Sequence, residues 1–136
     1  MSKIQRSGYS GKALHEKLGL KAGQTWAALG APRGYQDWLE LPQGQPGART
    51  KLGKNEAFIH AFFESLQAFE AAAPKLAAAL AKEGMLWVSW RKGKVTDLTE
   101  DPIRAWALAY GLVDVKVCSV SEEWSGLKIV WRRENR

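Results

Sequence analysis

The spacing of hydrophobic residues in the second half of the chain predicts strands that alternate with helices. The apolar runs over 57–63 and 85–90 are typical of strands that are buried on both faces. Between these runs, apolar residues recur every three or four positions from Leu66 onward, which indicates an amphipathic helix. This half of the chain is therefore expected to form a regular α/β structure.

The ends of this first helix carry recognisable signals. Ser65 can cap its start, and we expect the helix to run to Ala81. Pro74 lies inside the helical pattern and should kink the helix or make it restart. Gly84 is expected to end it.

A second helix is predicted after a loop over 91–98. Thr99 or Asp101 can cap it, because their side-chain oxygens accept the free amide hydrogens of a first turn. Pro102 would lie in that first turn, and Gly111 follows the last helical residue.

The end of the chain predicts a β-hairpin. Three valines alternate with polar residues across 113–120, which indicates a strand with two distinct faces. A turn at 122–126 leads to a last strand over 127–132. These two strands are too close in sequence for a crossover, so the last one must run antiparallel.

The first half has shorter elements. We expect a helix over 10–18, a strand over 25–30 and one or two helical turns over 35–41. Residues 1–9 are expected to be frayed. The segment 42–54 has prolines, glycines and basic residues but no acidic residue, and it is predicted to be a flexible basic loop.

Strands and helices thus alternate along the chain, which predicts an α/β fold with parallel pairing and crossover helices. The expected architecture resembles three layers around a mostly parallel five-stranded sheet with an antiparallel last strand. At 136 residues the chain can bury one ordinary core, so a single domain over 1–136 is predicted.

Composition narrows the class of protein. With 46% hydrophobic and 25% charged residues, the chain is typical of a globular domain. The first residues lack the apolar core of a secretory signal, and the longest apolar stretch, 66–81, is interrupted by polar residues. We therefore expect a cytoplasmic protein without a membrane partner. The single cysteine, Cys118, excludes an internal disulfide and a cysteine-cluster metal site.

The net charge of +6 lies in the first part of the chain. Residues 1–54 have nine Lys and Arg against three Asp and Glu, whereas 55–136 are neutral. This charge could attract an anionic small molecule, a nucleotide or a nucleic acid. A solvated basic surface is the alternative, because the basic residues are scattered and form no long run.

The order of elements in the second half resembles that of the class I methyltransferase fold, whose sheet ends in a hairpin with a reversed last strand. The chain also resembles a family of small bacterial domains of unknown function. The segments that carry this second resemblance are Gly8-Tyr-Ser-Gly-Lys12, Leu86-Trp-Val-Ser-Trp90, Thr96-Asp-Leu-Thr-Glu-Asp101, Gly111-Leu-Val-Asp-Val-Lys-Val-Cys118 and Trp124-Ser-Gly-Leu-Lys128. Together the resemblances imply a truncated, Rossmann-like methyltransferase fold and no established activity.

The turn after the first strand departs from the methyltransferase pattern. Dinucleotide-type folds use a glycine-rich first turn because the backbone must approach the cofactor closely. Here the turn is Gly30-Ala-Pro-Arg-Gly34, in which Pro32 removes a donor and no G-x-G spacing occurs. The segment 41–55 offers no strand whose acidic end could hold ribose hydroxyls. We therefore expect no cofactor, with S-adenosylmethionine as the alternative.

Ligands of open, mostly parallel sheets bind at the carboxyl ends of the strands. The candidate ligand-binding residues are those that the predicted loops bring to this edge, namely Gly30, Arg33, Tyr35, Trp90, Arg91, Lys92, Asp97 and Trp124. Cationic and aromatic side chains suit an anionic, partly aromatic ligand such as a nucleotide. Alternatively, the two tryptophans are packing anchors and Asp97 caps a helix.

No residue is predicted to be catalytic. His60 lies in a strand and is interpreted as a core histidine, and neither histidine has a partner at metal-binding spacing. The leading hypothesis is a non-catalytic binding domain with a methyltransferase-like fold. A minimal S-adenosylmethionine-dependent methyltransferase completed by a partner chain, or a nucleotide- or nucleic-acid-binding module, are the alternatives.

Overall fold

The computed structural model describes residues 11–136, so the prediction of a frayed segment over 1–9 lies outside the described residues. Within 11–136 the strands are β1 (Ala27–Leu29), β2 (Glu56–Phe62), β3 (Leu80–Arg91), β4 (Leu112–Ser119) and β5 (Trp124–Trp131). The helices are α1 (Leu14–Leu18), α2 (Tyr35–Leu39), α3 (Leu66–Ala79) and α4 (Glu100–Ala109), with 3₁₀ turns at Lys92–Lys94 and Arg133–Asn135.

The strands form one sheet in the order β1-β2-β3-β5-β4. β1, β2 and β3 are parallel, and β5 runs antiparallel to both of its neighbours. The predicted five-stranded, mostly parallel sheet with a reversed last strand is therefore confirmed. The last strand does not lie at an edge, because it is inserted between β3 and β4.

Helices cover both faces of the sheet, which confirms the three-layer architecture. On one face, α1 and α2 pack over a cluster that includes Phe58 and Trp87. On the other face, α3 and α4 pack over a cluster that includes Ile59 and Leu86. Adjacent residues of one strand thus enter opposite cores, as the two-residue period of a strand requires.

The connection between α3 and β3 differs from the prediction. α3 is continuous through Pro74 and ends at Ala79, so it does not restart. Gly84 does not end the helix but lies inside β3, where a Cβ atom would approach the Glu56 carbonyl oxygen to 2.6 Å. β3 pairs with β2 from Leu80 onward, and this pairing outweighs the helical pattern over 80–84.

β4 is an edge strand with an irregular register. Its predicted alternation is interrupted by a bulge between Asp114 and Lys116. Val115 and Val117 are both about half exposed, whereas Cys118 is buried.

The predicted loop over 42–54 lies along the opposite edge of the sheet. Arg49 bridges to Ala27, its N–H donates to the Trp26 carbonyl at 2.9 Å, and its carbonyl accepts from the Ala28 N–H at 2.8 Å. The Trp26 indole N–H donates to the Pro46 carbonyl at 3.0 Å. We call residues 46–50 the strap. The flexibility of 42–54 stays a prediction.

No helix in the described part of the chain is long and apolar enough to cross a bilayer. Among the same residues, no group of His, Cys, Asp and Glu is arranged to hold a metal ion.

Candidate functional site

One cavity at the carboxyl edge of the sheet opens at the end of β3, beside the first turn of α4. Its volume is about 660 Å³, within the range of small-molecule sites. We call it the β3–α4 cavity, and it is lined by Trp90, Arg91, Lys92, Gly93, Thr99, Glu100, Asp101 and Ser125. Three of the predicted ligand-binding residues, Trp90, Arg91 and Lys92, therefore lie together.

The charged groups of the β3–α4 cavity are paired within the protein. The Arg91 guanidinium donates to both Glu64 carboxylate oxygens, at 2.8 and 3.2 Å, and lies 4.7 Å from the Trp124 ring centroid. The hydrogen bond from Arg91 lowers the pKa of Glu64. On the opposite wall, Glu100 pairs with Arg104. The walls thus offer both signs of charge, which favours a ligand with mixed polar groups over a strongly anionic one.

The two predicted tryptophans of this edge are packing anchors. Trp90 is 8% exposed and Trp124 is 2% exposed, so neither indole presents a free face for stacking a base. The ring of Phe62 meets that of Trp124 edge-on at a centroid distance of 5.1 Å. Trp124 is thus buried in the core, whereas Trp90 also lines the β3–α4 cavity, and a ligand contact through its ring stays a prediction.

The second cavity at this edge lies at the end of β1 and has a volume of about 300 Å³. It is the position at which the methyltransferase resemblance would put a cofactor. We call it the β1-end cavity; its lining includes Ala31, Pro32, Gln36, Asp37 and Thr50.

The turn after β1 departs from a glycine-rich cofactor turn. Gly30 has φ +66°, and a Cβ atom there would lie 2.8 Å from the Phe62 carbonyl oxygen, so this glycine serves strand packing. Pro32 has no N–H, and the Tyr35 N–H already donates to the Pro32 carbonyl at 3.1 Å.

Tyr35 lines the β1-end cavity, but its hydroxyl turns into the core. Its hydroxyl lies 2.8 Å from His60 Nδ1, and His60 Nε2 lies 2.7 Å from the Ser89 hydroxyl. All three side chains are buried. Burial raises the pKa of Tyr35 well above its usual value and lowers the pKa of His60 to about 3. His60 is therefore a neutral core residue, as the sequence predicted.

Arg33 and Asp97 lie apart from the β3–α4 cavity. Arg33 is exposed on the turn after β1. Asp97 accepts the Leu66 N–H at 2.9 Å, so it caps α3 rather than the helix that follows it in sequence. Lys92 lines the β3–α4 cavity, yet its ammonium donates to the Ser119 hydroxyl at 2.5 Å.

That contact leads to a site that the sequence reasoning missed, a cleft between α1 and β4. It has a volume of about 370 Å³ and is lined by Lys12, Glu16, Lys17, Lys116, Val117, Cys118 and Ser119. The Lys17 ammonium donates to the Ser119 carbonyl at 3.2 Å. We call it the lysine cleft. Its members are separated by about a hundred residues in sequence, so only the positive charge of the first part of the chain pointed toward it.

No family model and no curated protein matches this chain. Solved structures do match its fold. A SAM-dependent methyltransferase from Aquifex aeolicus is 14% identical, with a TM-score of 0.53 over 84% of this chain and 85% of that one. A protein of the NADB-Rossmann superfamily from Streptococcus agalactiae is 13% identical, with a TM-score of 0.50 over 88% of this chain and 68% of that one.

The magnesium protoporphyrin IX methyltransferase from Synechocystis PCC 6803, solved with bound SAM, is 17% identical with a TM-score of 0.51. The match covers 65% of this chain and 47% of that one, so this chain spans about half the length of that enzyme. At these identities the likeness shows the fold alone. The fold is thus a methyltransferase-type, Rossmann-like α/β sheet.

Proposed function

We propose that this chain is a non-catalytic binding domain on a methyltransferase-like fold, and that its ligand occupies the β3–α4 cavity. One observation carries the proposal. A cavity of about 660 Å³ at the carboxyl edge opens at the end of β3, whereas the turn after β1 contains Pro32 and has a glycine, Gly30, at which any side chain would meet the Phe62 carbonyl.

The hydrogen bonds and ion pairs of the described titratable groups support a non-catalytic function. His60 is sealed in the core and hydrogen-bonded on both nitrogens, so it cannot exchange protons with a ligand at the edge. In the cavity, Glu100 is held by Arg104 and Arg91 by Glu64. These pairs position the walls of a binding site.

A minimal S-adenosylmethionine-dependent methyltransferase is the second candidate. The likeness of the fold to structures that bind SAM favours it at the level of the fold. Such an enzyme would use the β1-end cavity, so the two candidates require different cavities.

Two blocking variants separate these candidates. Thr99→Trp fills the β3–α4 cavity; the Thr99 side chain makes no capping hydrogen bond, so the helix should tolerate the change. Ala31→Trp fills the β1-end cavity from an exposed position. Gly30 is unsuitable as a probe, because any side chain there would clash with Phe62 and disturb the fold.

The test measures binding of S-adenosylmethionine and S-adenosylhomocysteine by calorimetry, together with mass spectrometry of small molecules that co-purify with each variant. We expect no heat with either cofactor, and a co-purified molecule that is lost in Thr99→Trp but kept in Ala31→Trp. Tight cofactor binding that is lost in Ala31→Trp would instead establish the methyltransferase candidate.

A further inference from the structure

The lysine cleft is distinct from the β3–α4 cavity, because α1 and the edge strand β4 form it on the other face of the sheet. Lys17 and Lys92 both donate to Ser119, through its carbonyl and its hydroxyl oxygen respectively. Ser119 therefore holds two ammonium groups, of which Lys17 lines the cleft and Lys92 lines the β3–α4 cavity. Lys116 lines the same cavity from β4.

Electrostatic coupling shows that these ammonium groups share one small volume. Burial, and then the charge of Lys17, lower the pKa of Lys92. Burial raises the pKa of the Cys118 thiol, and the charges of Lys17, Lys116 and Lys92 oppose that rise. Three ammonium groups thus act on one sulfur atom.

A fourth lysine extends the cluster across the sheet. Lys116 pairs directly with Lys128 of β5, and like charges opposite each other destabilise a sheet. Burial, and then the charge of Lys116, lower the pKa of Lys128.

Two acidic residues also lie near the cluster. Glu16 lines the cleft, and its carboxylate accepts the Ala13 N–H at 3.1 Å. The charge of Glu122 raises the pKa of Lys92, but burial and the charge of Lys17 lower it more. Lys116 and Lys128 remain opposite each other in the sheet, and a bound anion would offset their repulsion.

We propose that the lysine cleft binds a compact, multiply charged anion, a phosphate or pyrophosphate group, whose oxygens accept hydrogen bonds from Lys17 and Lys116, the two lysines beside Ser119 and Cys118. Lysine binds phosphate as a point charge and needs no fixed bidentate geometry, so several lysines around a small cavity suit an anion with many oxygens. The volume of about 370 Å³ holds such a group with its water, but it does not enclose a chain of nucleotides.

The first test measures binding of inorganic pyrophosphate by calorimetry at about 50 mM and about 200 mM salt. The variants are Lys17→Gln and Lys116→Gln. The matched control is Lys75→Gln, at an exposed position of α3. We expect each cleft variant to weaken binding about tenfold or more, because each removes a charge-assisted hydrogen bond. Lys75→Gln should bind like the wild type.

Folding is checked on the same samples by urea unfolding. Lys116→Gln relieves the repulsion with Lys128, so it should unfold at the same or higher urea concentration than the wild type. Binding that is absent in the wild type, or that falls equally in all three variants, would overturn the proposal.

The source of the phosphate is distinguished with two oligonucleotides of one sequence, with and without a 5′-phosphate. A terminal phosphate site should bind the phosphorylated one more tightly and should compete with pyrophosphate. Equal binding of both oligonucleotides without any binding of pyrophosphate would mean that the surface tracks a nucleic-acid backbone, and the proposal would be wrong.

The chain has one cysteine, which makes Cys118 a reporter of the cleft. A bound anion offsets the lysine charges, so the pKa of the thiol should rise and its alkylation by neutral iodoacetamide should slow several-fold. In Lys17→Gln the basal alkylation should be slower and pyrophosphate should change it little. Alkylation that saturating pyrophosphate leaves unchanged in the wild type would contradict binding in this cleft.

Discussion

At the scale of single residues, His60 shows how a polar group is kept in a core. A neutral imidazole has one donor and one acceptor nitrogen, and the hydroxyls of Tyr35 and Ser89 lie against one nitrogen each. The three side chains link α2, β2 and β3. Burial penalises only the protonated form of the ring, which is why its pKa falls to about 3.

This burial predicts a pH dependence of stability. Between pH 6.5 and about 3 the unfolded chain binds a proton at His60 and the folded chain does not. Stability should therefore fall as the pH drops through this window, by about 1.4 kcal/mol per pH unit from this residue. Urea unfolding between pH 7 and pH 5, above the range where most carboxylates titrate, measures the slope.

Two variants isolate the origin of this slope. His60→Gln removes the titrating ring and should flatten the pH dependence. Tyr35→Phe leaves the ring buried with one nitrogen unsatisfied, so it should lower the free energy of unfolding by about 1–3 kcal/mol but keep the slope. An unchanged slope in His60→Gln would assign the pH dependence to other groups.

The sequence predicted that His60 is buried, because it lies within an apolar strand. Its partners could not be predicted, since Tyr35 and Ser89 are 25 and 29 residues away and belong to other elements. The same limit explains Tyr35 itself. An aromatic residue after a strand is typical of a ligand edge, and only the packing of α2 shows that the hydroxyl points inward.

At the scale of elements, α3 contains Pro74 in its interior, although proline usually kinks or ends a helix. Pro74 has no N–H to give to the Glu70 carbonyl, and its ring crowds the preceding turn. The helix nevertheless continues, because its buried residues Phe69, Ala73 and Leu76 pack on the sheet on both sides of the proline. Tertiary packing outweighs the local preference here.

Pro74→Ala should therefore stabilise the protein. Pro74 is exposed, so its removal leaves no cavity, and a full helical hydrogen bond is gained. We expect the free energy of unfolding to rise by about 1–2 kcal/mol, since the greater freedom of the unfolded chain offsets part of the gain. Thermal unfolding measures it, with the neighbouring Lys75→Ala as a control that should change stability little. A loss of stability would mean that α3 needs a bend at Pro74.

The predicted ends of helices agree best with the structure where a single capping residue sets them. Ser65 caps α3, with its hydroxyl accepting the Ala68 N–H at 3.1 Å, and Gly19 ends α1 in the left-handed region with φ +84°. The boundary of β3 was not predictable, because residues 80–84 continue the helical pattern. Their place in the sheet depends on pairing with Glu56, which lies before the helix in sequence.

At the scale of the whole molecule, the sheet ends at β1 with the strap along its outer edge. Arg49 of the strap accepts a backbone hydrogen bond from Ala28 of β1 and donates one to Trp26, just before β1, so the strap covers part of an edge that would otherwise expose unpaired groups. The alternation of elements in the sequence predicted the strands and their direction. It could not predict the strap, because a single bridge at Arg49 leaves no hydrophobic pattern.

The lysine cleft was equally beyond the sequence. Lys17 and Ser119 are 102 residues apart, and the charge count located only one of the two walls. A site formed by residues far apart in sequence depends on how α1 packs near the far edge of the sheet.

An ion pair between Arg49 and Glu56 joins the strap to the start of β2. Arg49 donates to both carboxylate oxygens of Glu56, at 2.7 and 2.5 Å, and the Gly53 N–H donates to the same carboxylate at 2.6 Å. The Glu56 side chain is only 4% exposed. The hydrogen bond from Arg49 is the main cause that lowers the pKa of Glu56. The stability from this pair is therefore present above pH 4.5 and is lost as the pH falls through the lowered pKa.

Arg49→Ala leaves the Glu56 carboxylate buried with the Gly53 amide as its remaining described partner. We expect the free energy of unfolding at pH 7 to fall by about 1–3 kcal/mol, because a buried acceptor loses its charged donor. Arg33→Ala, an exposed arginine on the same side of the chain, should change it by less than about 0.5 kcal/mol. Hydrogen exchange gives the local readout: the Ala28 and Arg49 amides, which bond strap to strand, should lose protection before those of β3. Equal protection in both variants would mean that the backbone bonds alone hold the strap.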